Sequence, residues 1–240
     1  MIVFHAMVIG LSFFIQALMG FGGGLICIPL LSLSMPVQKA VTLVLIFQTL
    51  MGFLVFKVYK QIEWELIKKL GLSIFVGLMI GFMGLHFLSE RLIAALLILM
   101  ILMHLMRSRL KIDAFKRVIS VGGGKAAGFL GGVQQALLGT GGAPLVIYLK
   151  EVSVDSGHFR ANVMMLLFLM NLPRVMGSAV SGMLDSEILW ISMCTLPVFL
   201  VALWLGQTYH SRIEDKSFNL GVDVLLGFSC VLLIGKYLWF

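Results

Sequence analysis

Two short glycine-rich passages carry most of the chemistry in this chain. Gln16-Ala17-Leu18-Met19-Gly20-Phe21-Gly22-Gly23-Gly24 and Gln135-Ala136-Leu137-Leu138-Gly139-Thr140-Gly141-Gly142 each interrupt an otherwise apolar stretch, the second running on into Ala143-Pro144. Glycine costs a helix interior roughly 1 kcal/mol and proline roughly 3 kcal/mol relative to alanine, so helices are expected to break here. A broken helix exposes free N–H groups and the positive end of its dipole, which favour an anion. Arg174 is the basic residue set deepest in an apolar run, within Asn171-Leu172-Pro173-Arg174, where the proline should loosen the helix. A guanidinium beside two loops of backbone amides would make a cationic pocket suited to sulfonate, sulfite or carboxylate. Gln16, Gln134 and Gln135 precede the breaks, and Gln48, Thr49 and Asn171 lie in apolar runs. These amides and hydroxyls either orient a substrate or bond the freed backbone. The expected binding set is Gly20, Gly22, Gly23, Gly24, Gly139, Thr140, Gly141, Gly142, Gln16, Gln48, Gln135, Asn171 and Arg174.

The elements that must hold these residues are membrane helices. Of 240 residues, 60% are hydrophobic and 12% charged, with a mean hydropathy of +1.06. Soluble domains are about half apolar and about a quarter charged, and one of this length could not hide so much apolar side chain. Disorder and coiled coil fall on the same count. The net charge of +7 does not signal a nucleic-acid partner, because the basic residues lie between apolar runs, as cytoplasmic loop residues do. Cys27, Cys194 and Cys230 show no CxxC spacing, so neither a disulfide framework nor a zinc site is expected. The first apolar stretch lacks a basic leader and a small-residue cleavage site, and is expected to be retained. No cofactor motif stands out: Gly122-Gly123-Gly124-Lys125-Ala126 lacks both the earlier glycine and the following Ser or Thr of a phosphate loop.

A crossing helix needs about 20 apolar residues. Six runs qualify: Val41–Phe56, Leu70–Leu88, Leu92–Met106, Ala161–Val180, Ile188–Tyr209 and Phe218–Leu238. The stretches Ile2–Leu33 and Val118–Leu149 are apolar but broken. The two broken motifs align at one constant offset, from Gln16 to Gln135 and from Gly20 to Gly139, and each is followed by three ordinary spans. The expected fold is therefore an all-α polytopic membrane protein of two homologous repeats, 1–118 and 119–240, together one membrane domain. If the broken stretches cross fully, the basic residues outside the spans divide 11 to 6, with the larger share on the N-terminal side. If they return as re-entrant hairpins, only Lys39, Arg91 and Lys236 lie on the N-terminal side. That second arrangement obeys the positive-inside rule better and makes the repeats inverted, as in many transporters. Asp223 and His104 lie near helix ends and establish no proton coupling.

Several motifs together resemble the sulfite exporter TauE/SafE family. They are Gly20-Phe21-Gly22-Gly23-Gly24 with Pro29, Ile62-Glu63-Trp64, Gly139-Thr140-Gly141-Gly142-Ala143-Pro144, and Phe159-Arg160-Ala161 followed by Asn171 and Arg174. The resemblance covers essentially the whole chain and implies a permease of the inner (plasma) membrane for sulfur-containing anions such as sulfite, sulfoacetate or aromatic sulfonates. Ala143 stands where the family more often has a first proline, and Leu25-Ile26-Cys27-Ile28 where it more often has small residues and proline. These departures leave the fold intact and the substrate open. The function expected is alternating-access transport of a small anion, with the bilayer as its surroundings. A coupled proton or cation and a second copy of the chain as a homodimer partner remain open. A channel would show a stripe of polar residues, and an intramembrane protease would need paired aspartates or a Ser–His pair, so a channel or a non-transport membrane protein stands behind the transporter and an enzyme is not expected.

Overall fold

The computed structural model describes residues 1–19, 22–54, 58–110, 114–140, 142–209, 227, 228 and 230–237. All regular structure among them is helical. The helices are α1 (Ile2–Met19), α2 (Gly23–Leu31), α3 (Val37–Gly52), α4 (Trp64–Phe87), α5 (Glu90–Leu110), α6 (Ala114–Leu138), α7 (Ala143–Val152), α8 (Ser156–Val180) and α9 (Ser186–Tyr209). A short 3-10 turn spans Tyr59–Gln61, and 230–237 is again helical.

Among the described residues, three helices are long and apolar enough to cross a membrane: Trp64–Gly84 in α4, Gly157–Val180 in α8 and Ser186–Thr208 in α9. They match the runs Leu70–Leu88, Ala161–Val180 and Ile188–Tyr209. Large apolar side chains such as Leu72, Phe75, Met83, Trp190, Met193 and Trp204 stand exposed along α4 and α9, as a bilayer-facing surface requires. The run at Val41–Phe56 is helical four residues earlier than expected, because Pro36 stops the preceding turn and Glu90 Oε1 accepts from the Val37 N–H at 3.2 Å. Phe218–Leu238 falls largely outside the described residues, as does Asp223.

The helices form two compact units. One contains α1, α2, the start of α3 through Val44, α5, α9 and the segment 230–237. The other contains the rest of α3 from Leu45, then α4, α6, α7 and α8. Each unit is built on a broken stretch folded back as a helical hairpin. In the first, His5 Nε2 meets Ser34 Oγ at 3.0 Å, so the two ends of the stretch lie side by side. Lys236 Nζ donates to the Ser32 and Met35 carbonyls, and Lys39 pairs with Asp185 and Glu187, which brings the starts of α3 and α9 to that same end. In the second, a Cβ at Gly131 would lie 2.8 Å from the Leu145 Cβ, and one at Gly124 would lie 2.7 Å from the Tyr148 hydroxyl, so α7 runs back along α6. Within α6 the backbone at Gly123 (φ 58°, ψ −157°) leaves the helical region, so the helix is two pieces end to end.

Each hairpin packs on a long helix from the opposite half of the sequence, α1 on α9 and α6 on α4. The α4–α6 contact is a seam of small residues at four-residue spacing: Ser73, Gly77 and Gly81 face Gly128, Gly132 and Ala136. A Cβ at Gly77 would sit 2.2 Å from the Phe129 carbonyl oxygen, and one at Gly132 would sit 2.4 Å from that of Ile74. Helices that cannot use the hydrophobic effect against each other in lipid associate through such close backbone approach. Asp155 caps α8 and Asp185 caps α9, each accepting from the N–H three residues on, and those N–H groups hold both carboxyls below the usual range. Gly132→Val is expected to lower detergent-solubilised stability by about 1–3 kcal/mol or more through overpacking. Gly71→Ala, whose new methyl would meet nothing within 4 Å, is expected to keep or modestly raise the melting temperature, because alanine is the better helix former. Equal melting temperatures for the two variants would contradict this packing.

Candidate functional site

The second break is the place where buried polar side chains converge. α6 ends at Leu138, Gly139 takes a left-handed φ of 64°, and Gly142 caps α7 with φ 61°. Side chains avoid both conformations, which explains glycine there. Pro144 does not break a helix: it stands in the first turn of α7, where its missing N–H costs nothing. Gly141 lies outside the described residues.

The carbonyl of Gly139, released by the break, accepts from Gln48 Nε2 at 2.8 Å. Gln135 Nε2 donates to Gln48 Oε1 at 3.3 Å and to Asn171 Oδ1 at 2.9 Å. Asn171 Oδ1 also accepts from Arg174 Nη1 at 3.4 Å, one turn on along α8. Gln134 Nε2 donates to Thr140 Oγ1 at 3.1 Å across the turn. Residues from α3, α6 and α8 thus form one hydrogen-bonded chain from the broken backbone to the guanidinium. All of it is buried: Gln135 and Asn171 are 0% and 1% exposed, and Arg174 is 4% exposed. Among the described residues the guanidinium makes no ion pair; its neighbour is the neutral amide of Asn171. An enclosed cation without a counter-charge is costly, and a bound anion would remove the cost.

Of the expected site residues, Gln48, Gln135, Gly139, Thr140, Gly142, Asn171 and Arg174 all lie in this unit. Gln16, Gly22, Gly23 and Gly24 lie in the other, and Gly20 is outside the described residues. There Gly22 caps α2 with φ 93°, while Gly23 and Gly24 already belong to the helix. Pro173 lies inside α8, which runs on past it without a break.

One polar anchor has no counterpart in the sequence reading. Asn162, fully buried, accepts from the Glu63 N–H at 2.9 Å and donates to Ser153 Oγ at 3.2 Å. Glu63 Oε1 accepts from the Val154 N–H at 3.4 Å. The motifs around Ile62-Glu63-Trp64 and Phe159-Arg160-Ala161 therefore meet at the end of the α6–α7 hairpin. The signal available was adjacency alone, since Asn162 follows one of these motifs directly.

The family model of the sulfite exporter TauE/SafE matches residues 5–233. The chain belongs to that family. No curated protein and no solved structure matches this TauE/SafE protein. Family membership makes it a membrane transporter of sulfite or a similar anion. The polar chain at the second break also has a measurable energetic signature. Asn171→Leu leaves donors of Gln135 and Arg174 without their shared acceptor and is expected to cost about 1–3 kcal/mol of stability, more on the charged side. Adding Arg174→Met should recover part of that loss, because it removes the stranded charge. Strictly additive losses in this double-mutant cycle would show that the two residues are not coupled.

Proposed function

We propose that this TauE/SafE protein is a secondary transporter of a small sulfur-containing anion, such as sulfite or a sulfonate, working by alternating access in the inner (plasma) membrane. The observation that carries the reading is the buried Arg174 guanidinium, without an ion-pair partner among the described residues and linked through Asn171, Gln135 and Gln48 to the carbonyl of Gly139. Arg174 supplies charge and a planar fork of donors that suits an oxyanion. Thr140, the Gly139–Gly142 loop and the start of α7 add polar groups and a favourable dipole. The amides of Gln48 and Gln135 serve as positioning residues, fixing the loop and Asn171 rather than holding the anion themselves.

An inverted two-repeat plan supports alternating access. α1–α2 and α6–α7 are equivalent hairpins, one at the start of each half. The packing of α1 on α9 repeats that of α6 on α4, with the halves exchanging their long helices. The meeting of His5 with Ser34, and of Lys39 and Lys236 with the same end, favours a re-entrant course for the first hairpin. With that course the remaining loops carry the positive charge, as cytoplasmic loops do.

The test is thermal stability of detergent-purified protein against sulfite, sulfate, thiosulfate, sulfoacetate, toluenesulfonate and simple carboxylates. A ligand of the native state stabilises it by about 2.7 kcal/mol at a hundredfold excess over Kd. Stabilisation is expected with sulfur oxyanions and should vanish in Arg174→Gln, which keeps hydrogen-bonding capacity while deleting the charge. Undiminished stabilisation of that variant would remove Arg174 from the site.

A further inference from the structure

The charge count around Arg174 says more than that an anion fits. Among the described residues Arg174 is the only buried lysine or arginine, and no carboxylate is buried. The side chains that lead to it, Gln48, Gln135 and Asn171, are neutral amides. The next basic residues on α3, α6, α7 and α8 are Lys39, Lys125, Lys150 and Arg160. Each stands at least eight residues from Gln48, Gln135, Gly142 or Asn171 on its own helix, so its Cα is at least about 12 Å away along the axis. Lys39 is moreover paired with Asp185 and Glu187, and Lys125 and Lys150 are exposed. The break itself adds little charge, because the negative end of the α6 dipole meets the positive end of the α7 dipole there.

The turns of α8 on either side of the Asn171–Arg174 pair are covered by rings. One turn before Asn171, Phe168 is 8% exposed and lies against Gly52, where a Cβ would fall 2.5 Å from its Cδ2, with the Phe53 ring edge-on at 5.3 Å. One turn beyond Arg174, the tip of the Phe82 ring lies against Gly177, where a Cβ would fall 2.5 Å from its Cζ. One positive charge in such surroundings is neutralised by one negative charge. A second negative charge would be buried without a partner, which apolar surroundings make costly. We propose that the Arg174 site takes a singly charged oxyanion, a monosulfonate or hydrogensulfite, and discriminates against dianions such as sulfate, thiosulfate and fully deprotonated sulfite. This narrows the anion of the transporter reading and rests on it.

The experiment compares methanesulfonate with sulfate by melting-temperature titration of the purified full chain, at constant ionic strength and constant chloride. The two share an SO3 face and differ in a methyl group against a charged oxygen. The Kd for sulfate is expected to be at least about tenfold the weaker, a difference of about 1.4 kcal/mol. Sulfamate, a monoanion with a polar amino group in place of the methyl, should side with methanesulfonate. The apparent affinity for sulfite should fall from mildly acidic to mildly alkaline buffer as hydrogensulfite loses its proton, while that for methanesulfonate stays level. Sulfate binding as tightly as methanesulfonate, with both lost in Arg174→Gln, would overturn the charge selection and leave the anion site standing. Sulfamate siding with sulfate, or a sulfite affinity indifferent to pH, would overturn it too. Binding of methanesulfonate undiminished in Arg174→Gln, or no binding of any of these anions, would remove the site and this inference together. Should Arg174→Gln fail to fold, Arg174→Lys, which keeps one charge, should retain the preference for methanesulfonate; a preference for sulfate in that variant would contradict the proposal.

Discussion

Hydrocarbon offers no water to a backbone group released from a helix, so every break inside a membrane protein must be answered by the protein itself. The answer given to the Gly139 carbonyl organises much of one unit of this protein. Gln48 reaches it from α3, Gln135 holds Gln48, and Asn171 holds Gln135. Satisfying one carbonyl thus draws α3, α6 and α8 to a common point. Their convergence puts Arg174 at the end of a neutral amide chain, where its charge is hydrogen-bonded but, among the described residues, not balanced. The structural need to heal a break and the proposed need to bind an anion are met by the same few side chains.

Close helix contact makes that convergence affordable. The glycines that let α4 lie against α6 with backbone touching backbone are Gly77, Gly81, Gly128 and Gly132, none of them from the breaks. Three of the clustered glycines act through conformation instead. Gly139 and Gly142 turn the chain through left-handed φ values between two helices, and Gly22 does so at the other hairpin. The two breaks also differ in charge. One is tied to a buried guanidinium; the other stands between helices that carry no lysine, arginine or carboxylate.

The long uninterrupted runs of α4, α8 and α9 were legible in the sequence because length and hydropathy alone define them. The breaks were legible too, through glycine's helix cost, although Pro144 starts a helix rather than halting one, and α8 runs on past Pro173. The turning back of Ile2–Leu33 could not be read from apolarity, which is the same for a crossing and a return; it shows only in contacts between the two ends of the stretch, such as His5 with Ser34. The spacing of Gln135 from the breaks gave its candidacy, but its partners Gln48 and Asn171 lie far away in the chain and no local pattern joins them. The four-residue spacing of Ser73, Gly77 and Gly81 was a readable sign of a packing seam. Asn162 had no such sign, because a buried amide that ties loop backbone looks in sequence like any polar residue near a helix start.

The most direct test of the anion site is to locate the anion. Selenite shares the shape and charge of sulfite and scatters anomalously, so crystals grown with it and free of selenomethionine would mark its position. The account predicts an anomalous peak whose oxygens lie within about 3 Å of the Arg174 guanidinium, the distance of a charge-assisted hydrogen bond. A well-occupied peak elsewhere in the protein, with none at Arg174, would contradict it.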